Sequence, residues 1–288
     1  MTPEVVALLD AADAALRRTD ATDQGGPLHV GVDLGTAYTV VMVIGEDGQP
    51  LVGAMEYAEV VRDGVVVDFA GASALLRRLV GDLEQRLGRR LESAATTYPP
   101  GVPQAEVRAT RYVLEAAGLG VSALVDEPTA ANTVLGMADG AVVDVGGGTT
   151  GTAIVHGGRV VASFDEPTGG HHMTLVLSGA LGLPYAQAEQ LKVEPAEQAP
   201  LFHVVRPVME KMATIVAGHL AGHDVDRIAL VGGTSGFHRF AEIVTEVTGI
   251  PAAVAHRPML VTPLGVAMQD PGLNNVTTPG ATTGEHHG

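Results

Sequence analysis

The chain has 288 residues, 46% of them hydrophobic, no cysteine, and a formal net charge of −16 from 33 acidic and 17 basic residues. That is enough apolar material for one or two cored domains, while the missing cysteine excludes disulfides, thiolate zinc sites and thiol nucleophiles. The acidic balance argues against nucleic acid or an anionic membrane as partner, and neither a leader peptide nor a run of roughly 20 apolar residues is present, so a cytoplasmic location is expected.

Val5, Leu8, Leu9, Ala12 and Leu16 stand at helical spacing and predict a helix over 3–18, followed by a linker to Pro27. From Leu28 an apolar strand runs into Asp33-Leu34-Gly35-Thr36, and a second strand over Val40–Ile44 ends at the turn Glu46-Asp47-Gly48. A helix over 71–87, a strand over 93–98, a helix over 104–117, a strand over 121–125 and a helix from Pro128 come next.

Then the opening unit recurs. Ala141-Val-Val-Asp144-Val-Gly146 repeats the pattern of Val30-Gly-Val-Asp33-Leu-Gly35, and each is followed by an apolar strand and a glycine turn. The second half continues with helices over 172–182, 185–192 and within 202–221, a strand over 227–231 and a helix over 236–248. Residues 271–288 lack apolar periodicity and are expected to form a disordered tail. The organisation expected is therefore an α/β duplicated fold of two lobes around a cleft. Residues 1–27 form a helix and linker, 28–143 the first lobe with its last helix returning at about 258–270, and 144–257 the second lobe.

An aspartate closing a strand can hold a hydrated magnesium ion, which prefers oxygen ligands and sheds water reluctantly. Asp33 and Asp144 are so placed. Gly35, Thr36 and Ala37 after the first, and Gly146, Gly147, Gly148, Thr149 and Thr150 after the second, can turn backbone N–H groups toward phosphate oxygens. Gly232, Gly233 and Thr234 between a strand and a helix would let backbone lie against an adenosine. Where a strand gives way to Pro128, Asp126 and Glu127 offer a carboxylate to orient an attacking water, or else only favour the positive end of the helix. The adjacent His171 and His172 point in different directions on a helix and have no third ligand at suitable spacing, so a structural role is expected.

These residues resemble the actin-like ATPase superfamily of heat-shock-type chaperones, bacterial cell-shape and division proteins, and sugar kinases. Five elements over about residues 28–268 carry the likeness: Asp33–Thr36, Glu127–Ala131, Asp144–Thr149, Leu230–Thr234 and Pro263–Ala267. The resemblance implies an actin-like, ribonuclease H-like fold binding ATP or ADP with magnesium. It also implies catalytic work by Glu127, Asp33 and Asp144, metal held through water by Asp33 and Asp144, and ribose contacts near Glu210 and Lys211.

Within the superfamily, the leading helix and the stretch from Gly169 to Lys192 look most like the EutJ family. Membership implies a chaperone-like, slow magnesium-dependent ATPase that protects or reactivates ethanolamine ammonia-lyase beside a bacterial microcompartment. The leading helix is also similar to peptides that target cargo to such compartments, while packing on its own domain is the more ordinary expectation for a short apolar helix. The alternative is an actin-like filament or scaffold protein that uses nucleotide as a conformational switch. One departure stands out. The phosphate-side lysine of the chaperones has no counterpart before Lys192, leaving Arg62 as a substitute or a site without that cation.

Overall fold

A computed structural model describes residues 1–21, 25–62, 64–98, 100 and 104–271. The first half runs α1 (Pro3–Arg17), β1 (His29–Leu34), β2 (Tyr38–Ile44), β3 (Pro50–Tyr57), a small hairpin of β4 (Val61–Arg62) and β5 (Val65–Val66), α2 (Phe69–Leu87), β6 (Ser93–Tyr98), α3 (Gln104–Ala117), β7 (Gly120–Asp126) and α4 (Glu127–Leu135). The second runs β8 (Gly140–Val145), β9 (Thr150–His156), β10 (Arg159–Glu166), α5 (Gly170–Leu181), α6 (Tyr185–Val193), α7 (Pro195–Leu220), β11 (Ile228–Val231), a 3-10 turn (Gly233–Gly236), α8 (Phe240–Thr248), β12 (Ala252–Val254) and α9 (Pro258–Met268).

The suspected repeat is a duplication of topology. One sheet has the order β3-β2-β1-β6-β7 and the other β10-β9-β8-β11-β12. In each, the three first-named strands are antiparallel and the rest parallel. Strands β1, β2 and β8 are apolar and buried along almost their whole length, because helices or the other lobe cover both faces. All of β8 belongs to the second sheet, so the change of sheet precedes Gly140 and the expected boundary at 143/144 cuts a strand.

Three apolar layers hold the molecule together. Leu76, Leu83 and Leu114 from α2 and α3 cover one sheet, and Met209, Met212 and Phe240 from α7 and α8 cover the other. Between the sheets lie α4 and α9, with Ala131, Val261 and Leu264 packed against Val142 and Val231. Glycines permit the close approach. A side chain on Gly31 would strike the backbone of Pro263 and Ala267, and one on Gly265 would strike the Ala130 carbonyl where α9 crosses α4. Gly265→Ala should therefore lower stability by about 1–3 kcal/mol, since backbone must move to admit the methyl. A thermal melt reads this as a drop of several degrees. An unchanged melt would mean that the two helices separate without cost.

Helix α1 packs on the body. Thr2 caps it, its hydroxyl accepting from Val5 N at 3.4 Å, and Leu9, Ala12 and Ala15 are fully buried. Arg86 of α2 donates to the Ala15 carbonyl at 3.0 Å and to that of Arg18 at 2.8 Å, satisfying the helix end. On its other side, Asp10 meets His256 at 2.7 Å and Arg257 at 3.3 Å, and Asp13 meets Arg257 at 3.4 Å. One helix thus joins β3 of the first sheet to the segment between β12 and α9.

Several expectations shift. The helix expected within 202–221 starts at Pro195, whose missing N–H suits a first turn, and it accommodates Pro200 and Pro207. The helix expected over 236–248 starts at Phe240, because the Gly-rich run before it winds into the 3-10 turn and Arg239 takes φ 63°. Strands β3, β10 and β12 lie at sheet edges with mixed burial and give a weak periodic signal. The expected tail lies outside the described residues from 272 onward, as do 22–24 of the linker. Among the described residues no helix is long and apolar enough to cross a membrane.

Candidate functional site

Asp33 and Asp144 stand at equivalent points of the two sheets, opposite Val40 and Gly151 on their antiparallel neighbours. After Asp33 the chain reverses tightly, with Gly35 N donating to the Tyr38 carbonyl at 3.0 Å. After Asp144 the turn closes between Gly146 N and the Thr149 carbonyl at 3.1 Å. The two turns meet: a Cβ on Gly147 would lie 2.9 Å from that of Ala37.

The carbonyls of the second turn are already engaged. Gly170 N at the start of α5 donates to the Gly146 carbonyl at 3.0 Å, and His171 N to that of Gly147 at 2.7 Å. Thr234 Oγ1 also reaches the Gly146 carbonyl, at 2.8 Å. By contrast, the N–H groups of Thr36, Ala37, Gly147 and Gly148 donate to no described residue. Free N–H groups on facing glycine turns make an anion site.

A chamber of about 250 Å³ lies between the lobes. Asp33, Gly35, Thr36, Ala37, Glu127, Asp144, Gly146–Thr149, Gly232, Gly233 and Thr234 all line it. Gly232 takes φ 82°, and any side chain there would run into Asp144 Oδ1 and the Val145 backbone. The paired carboxylates before Pro128 divide their roles. Asp126 caps α4 by accepting from Thr129 N at 3.0 Å, whereas Glu127 faces the chamber.

Three sequence-derived candidates fall elsewhere. Thr150 is buried and donates to the Thr168 carbonyl at 2.6 Å. Glu210 forms an ion pair with Arg206 at 2.7 Å, and Lys211 is exposed on α7. None of the three lines the chamber. Arg62 lies at a neighbouring chamber. The histidine pair makes contacts within the protein: His171 Nδ1 meets Tyr185 Oη at 2.9 Å and His172 Nδ1 accepts from Gly169 N at 3.3 Å.

Other residues do line the chamber, among them Tyr38, Glu189, Lys192, Gln198 and Thr262. Lys192 Nζ is buried and donates to Glu189 at 2.7 Å, to Thr174 Oγ1 at 2.9 Å and to the Gly170 carbonyl at 3.1 Å. Its acid–base spacing on α6 and the rarity of lysine were the available signals. Thr97 Oγ1 donates to Asp33 at 3.1 Å, and Thr262 Oγ1 of α9 donates to Asp144 at 2.5 Å.

The carboxylates repel one another. Burial and then the charge of Asp144 push the Asp33 carboxyl up to about 7, against the Thr97 hydrogen bond. Burial pushes Asp144 up to about 6, against the Thr262 hydrogen bond. Glu127 is raised well above its ordinary value by burial, then by Asp33, Asp144, Asp165 and Asp126. A buried acidic group of this kind gains from a cation. Asp33 and Asp144 offer oxygen donors at the chamber, the donor type that a hydrated magnesium ion prefers.

Burial of Asp33 and Asp144, with the charge of Asp144 acting second on Asp33, gives the cation-free protein a defined pH response. Folded Asp33 and Asp144 keep their protons up to about 7 and about 6, whereas an unfolded aspartate loses its proton near 3.9. The folded state therefore holds more protons between about pH 4 and pH 7, and stability falls as pH rises through that window. The drop is on the order of a few kcal/mol, because each tenfold gain in proton affinity is worth ~1.4 kcal/mol. Urea unfolding in EDTA at pH 5 and pH 7.5 measures it, and a flat profile would mean that burial does not hold these carboxyls protonated.

The chain is similar to several known proteins in sequence and in fold. The MreB/Mbl protein family matches residues 42–178, and the cell division protein FtsA family matches residues 141–280. The ethanolamine utilization protein EutJ of Escherichia coli is 44% identical over 262 residues, covering 90% of this chain and 91% of its own. The crystal structure of EutJ from Carboxydothermus hydrogenoformans superposes with a TM-score of 0.85 at 42% identity, covering 92% of this chain and 98% of that one. MreB 5 of Spiroplasma citri, solved bound to AMPPNP, shares the fold at a TM-score of 0.70 and 15% identity, covering 87% and 98%.

Proposed function

This chain belongs to the EutJ family of ethanolamine utilization proteins and has the actin-like ATPase fold, and on that premise we propose that it binds ATP with magnesium between its lobes and hydrolyses it slowly. The change in lobe separation then serves a chaperone-like task on a protein of ethanolamine utilization, with ethanolamine ammonia-lyase as the client implied by the family resemblance and a bacterial microcompartment as its setting.

The observation that carries this reading is the meeting of two equivalent carboxylate-and-glycine turns at one chamber, with four uncommitted N–H groups beside Asp33 and Asp144. Backbone of the two turns receives the phosphates, and Gly232–Thr234 flanks the nucleoside. Asp33 and Asp144 hold hydrated magnesium, which supplies neutralisation of phosphate charge. Glu127, fixed at the first turn of α4, orients water and accepts its proton.

Calorimetric titration of ATP, ADP and GTP, with and without magnesium, combined with phosphate release and protease sensitivity, tests the reading. Tight, magnesium-dependent ATP binding with a nucleotide-dependent cleavage pattern is expected. Absence of any nucleotide binding would overturn it. A filament reading has one observation in its favour, the exposed apolar Leu175, Val176 and Leu181 on α5. ATP-dependent pelleting on sedimentation would favour filaments over the chaperone.

A further inference from the structure

Two non-glycine residues among those described have a positive φ, Arg239 at 63° and Arg257 at 46°. A side chain makes such left-handed backbone costly, and a residue that precedes a proline, as Arg257 does, ordinarily takes an extended conformation instead. Backbone held against its preference persists only where its surroundings enforce it, and such places concentrate at working parts of proteins. Arg257 itself lines neither the nucleotide chamber nor its neighbour.

What enforces the conformation is helix α1. Arg257 Nε meets Asp10 at 3.3 Å and its Nη2 meets Asp13 at 3.4 Å, while the neighbouring His256 meets Asp10 at 2.7 Å. Those two acids are carried on a helix anchored by the buried Leu9, Ala12 and Ala15. The corner they grip stands between two backbone bonds to the end of β11. Before it, Ala255 N donates to the Leu230 carbonyl at 2.8 Å; after it, Gly232 N donates to the Pro258 carbonyl at 2.9 Å. Arg257 is also the residue from which α9 starts. Its backbone therefore sets where α9 begins, and α9 supplies a wall of the nucleotide chamber. Met259 lines that chamber so close to Gly233 that a Cβ there would strike it, and Thr262 holds Asp144.

We propose that Arg257 is a positioning residue for the nucleotide site and that α1 regulates the site through it. With α1 docked, Asp10 and Asp13 keep residue 257 left-handed and the Pro258 carbonyl stays on Gly232 N. Gly232, Gly233 and Asp144 then keep the places that receive nucleoside and hydrated magnesium. With α1 lifted, Arg257 returns to extended backbone, the start of α9 swings away from β11, and nucleotide is held less firmly. Capture of α1 by another protein and binding of nucleotide therefore oppose each other by one common factor. This regulation rests on the proposed nucleotide site, whereas the link from α1 to Gly232 stands without it.

Two measurements on the full chain test this: calorimetric titration of ATP with magnesium, and hydrogen exchange of the Gly232 amide without nucleotide. The double variant Asp10→Ala/Asp13→Ala should bind ATP about three- to tenfold more weakly, a modest drop because exposed ion pairs are individually weak, and should exchange the Gly232 amide faster. Adding Arg257→Gly to that variant should recover both, since glycine takes the left-handed backbone freely. Adding Arg257→Ala, which removes the same side chain without that freedom, should recover neither. Parent-like affinity and exchange in the double variant, or glycine and alanine behaving alike at 257, would overturn the proposal. A parent that binds no nucleotide would sink the nucleotide reading instead, and exchange at Gly232 would still decide the link from α1.

Discussion

Asp144→Ala is expected to abolish the magnesium-dependent part of ATP binding, read by calorimetric titration with and without magnesium. Asp144 is buried, closes the central strand of the second sheet, and is held by Thr262 of α9 at 2.5 Å. Its carboxylate shares with Asp33 the task of holding a hydrated cation, and one remaining carboxylate holds such an ion poorly. A loss of about 100-fold, or ~2.8 kcal/mol, is expected. The isosteric Asp144→Asn should lose binding equally while raising cation-free stability at neutral pH, because it keeps the shape and removes a repelling charge. Retention of magnesium-dependent binding in both variants would displace Asp144 from this role.

Glu127→Ala should leave ATP affinity within about twofold and reduce turnover by roughly 100- to 10,000-fold, the range for loss of a general base. Glu127 faces the chamber, while its neighbour Asp126 is spent on capping α4. Because burial, and then Asp33 and Asp144, raise its proton affinity, neutralising those two charges returns Glu127 part of the way toward its ionised, basic form. Turnover should accordingly have an acid limb that moves to higher pH when magnesium is made limiting. Single-turnover phosphate release across pH measures both effects. Equal loss of binding in the two alanine variants would assign Glu127 to the cation instead.

The turns after Asp33 and Asp144 were legible in the sequence because their cause is local. Glycine fixes the turn, and a strand end fixes the aspartate. The division between Asp126 and Glu127 was not legible, since cap and first-turn positions differ by one residue and only the passage from β7 into α4 decides which faces the chamber. That Glu210 and Lys211 do not line the chamber has a related reason. The inward face of α7 is set by burial of Met209 and Met212 against the second sheet, and two prolines hid where that helix begins. Lys192 reaches the chamber because α5 and α6 fold back beside the second turn, a tertiary event invisible in a short window of sequence.

To present helix α1 to another protein, the molecule must uncover Leu9, Ala12 and Ala15 and strip Arg257 of Asp10 and Asp13. Detachment costs on the order of 2–4 kcal/mol, so a captor binds it roughly 30- to 1,000-fold more weakly than it binds the isolated peptide. Capture also unfastens the rim of the first sheet from the strand-to-helix passage of the second lobe. A protein that seized the leading helix would therefore loosen the grip of one lobe on the other from the side remote in sequence from either phosphate turn.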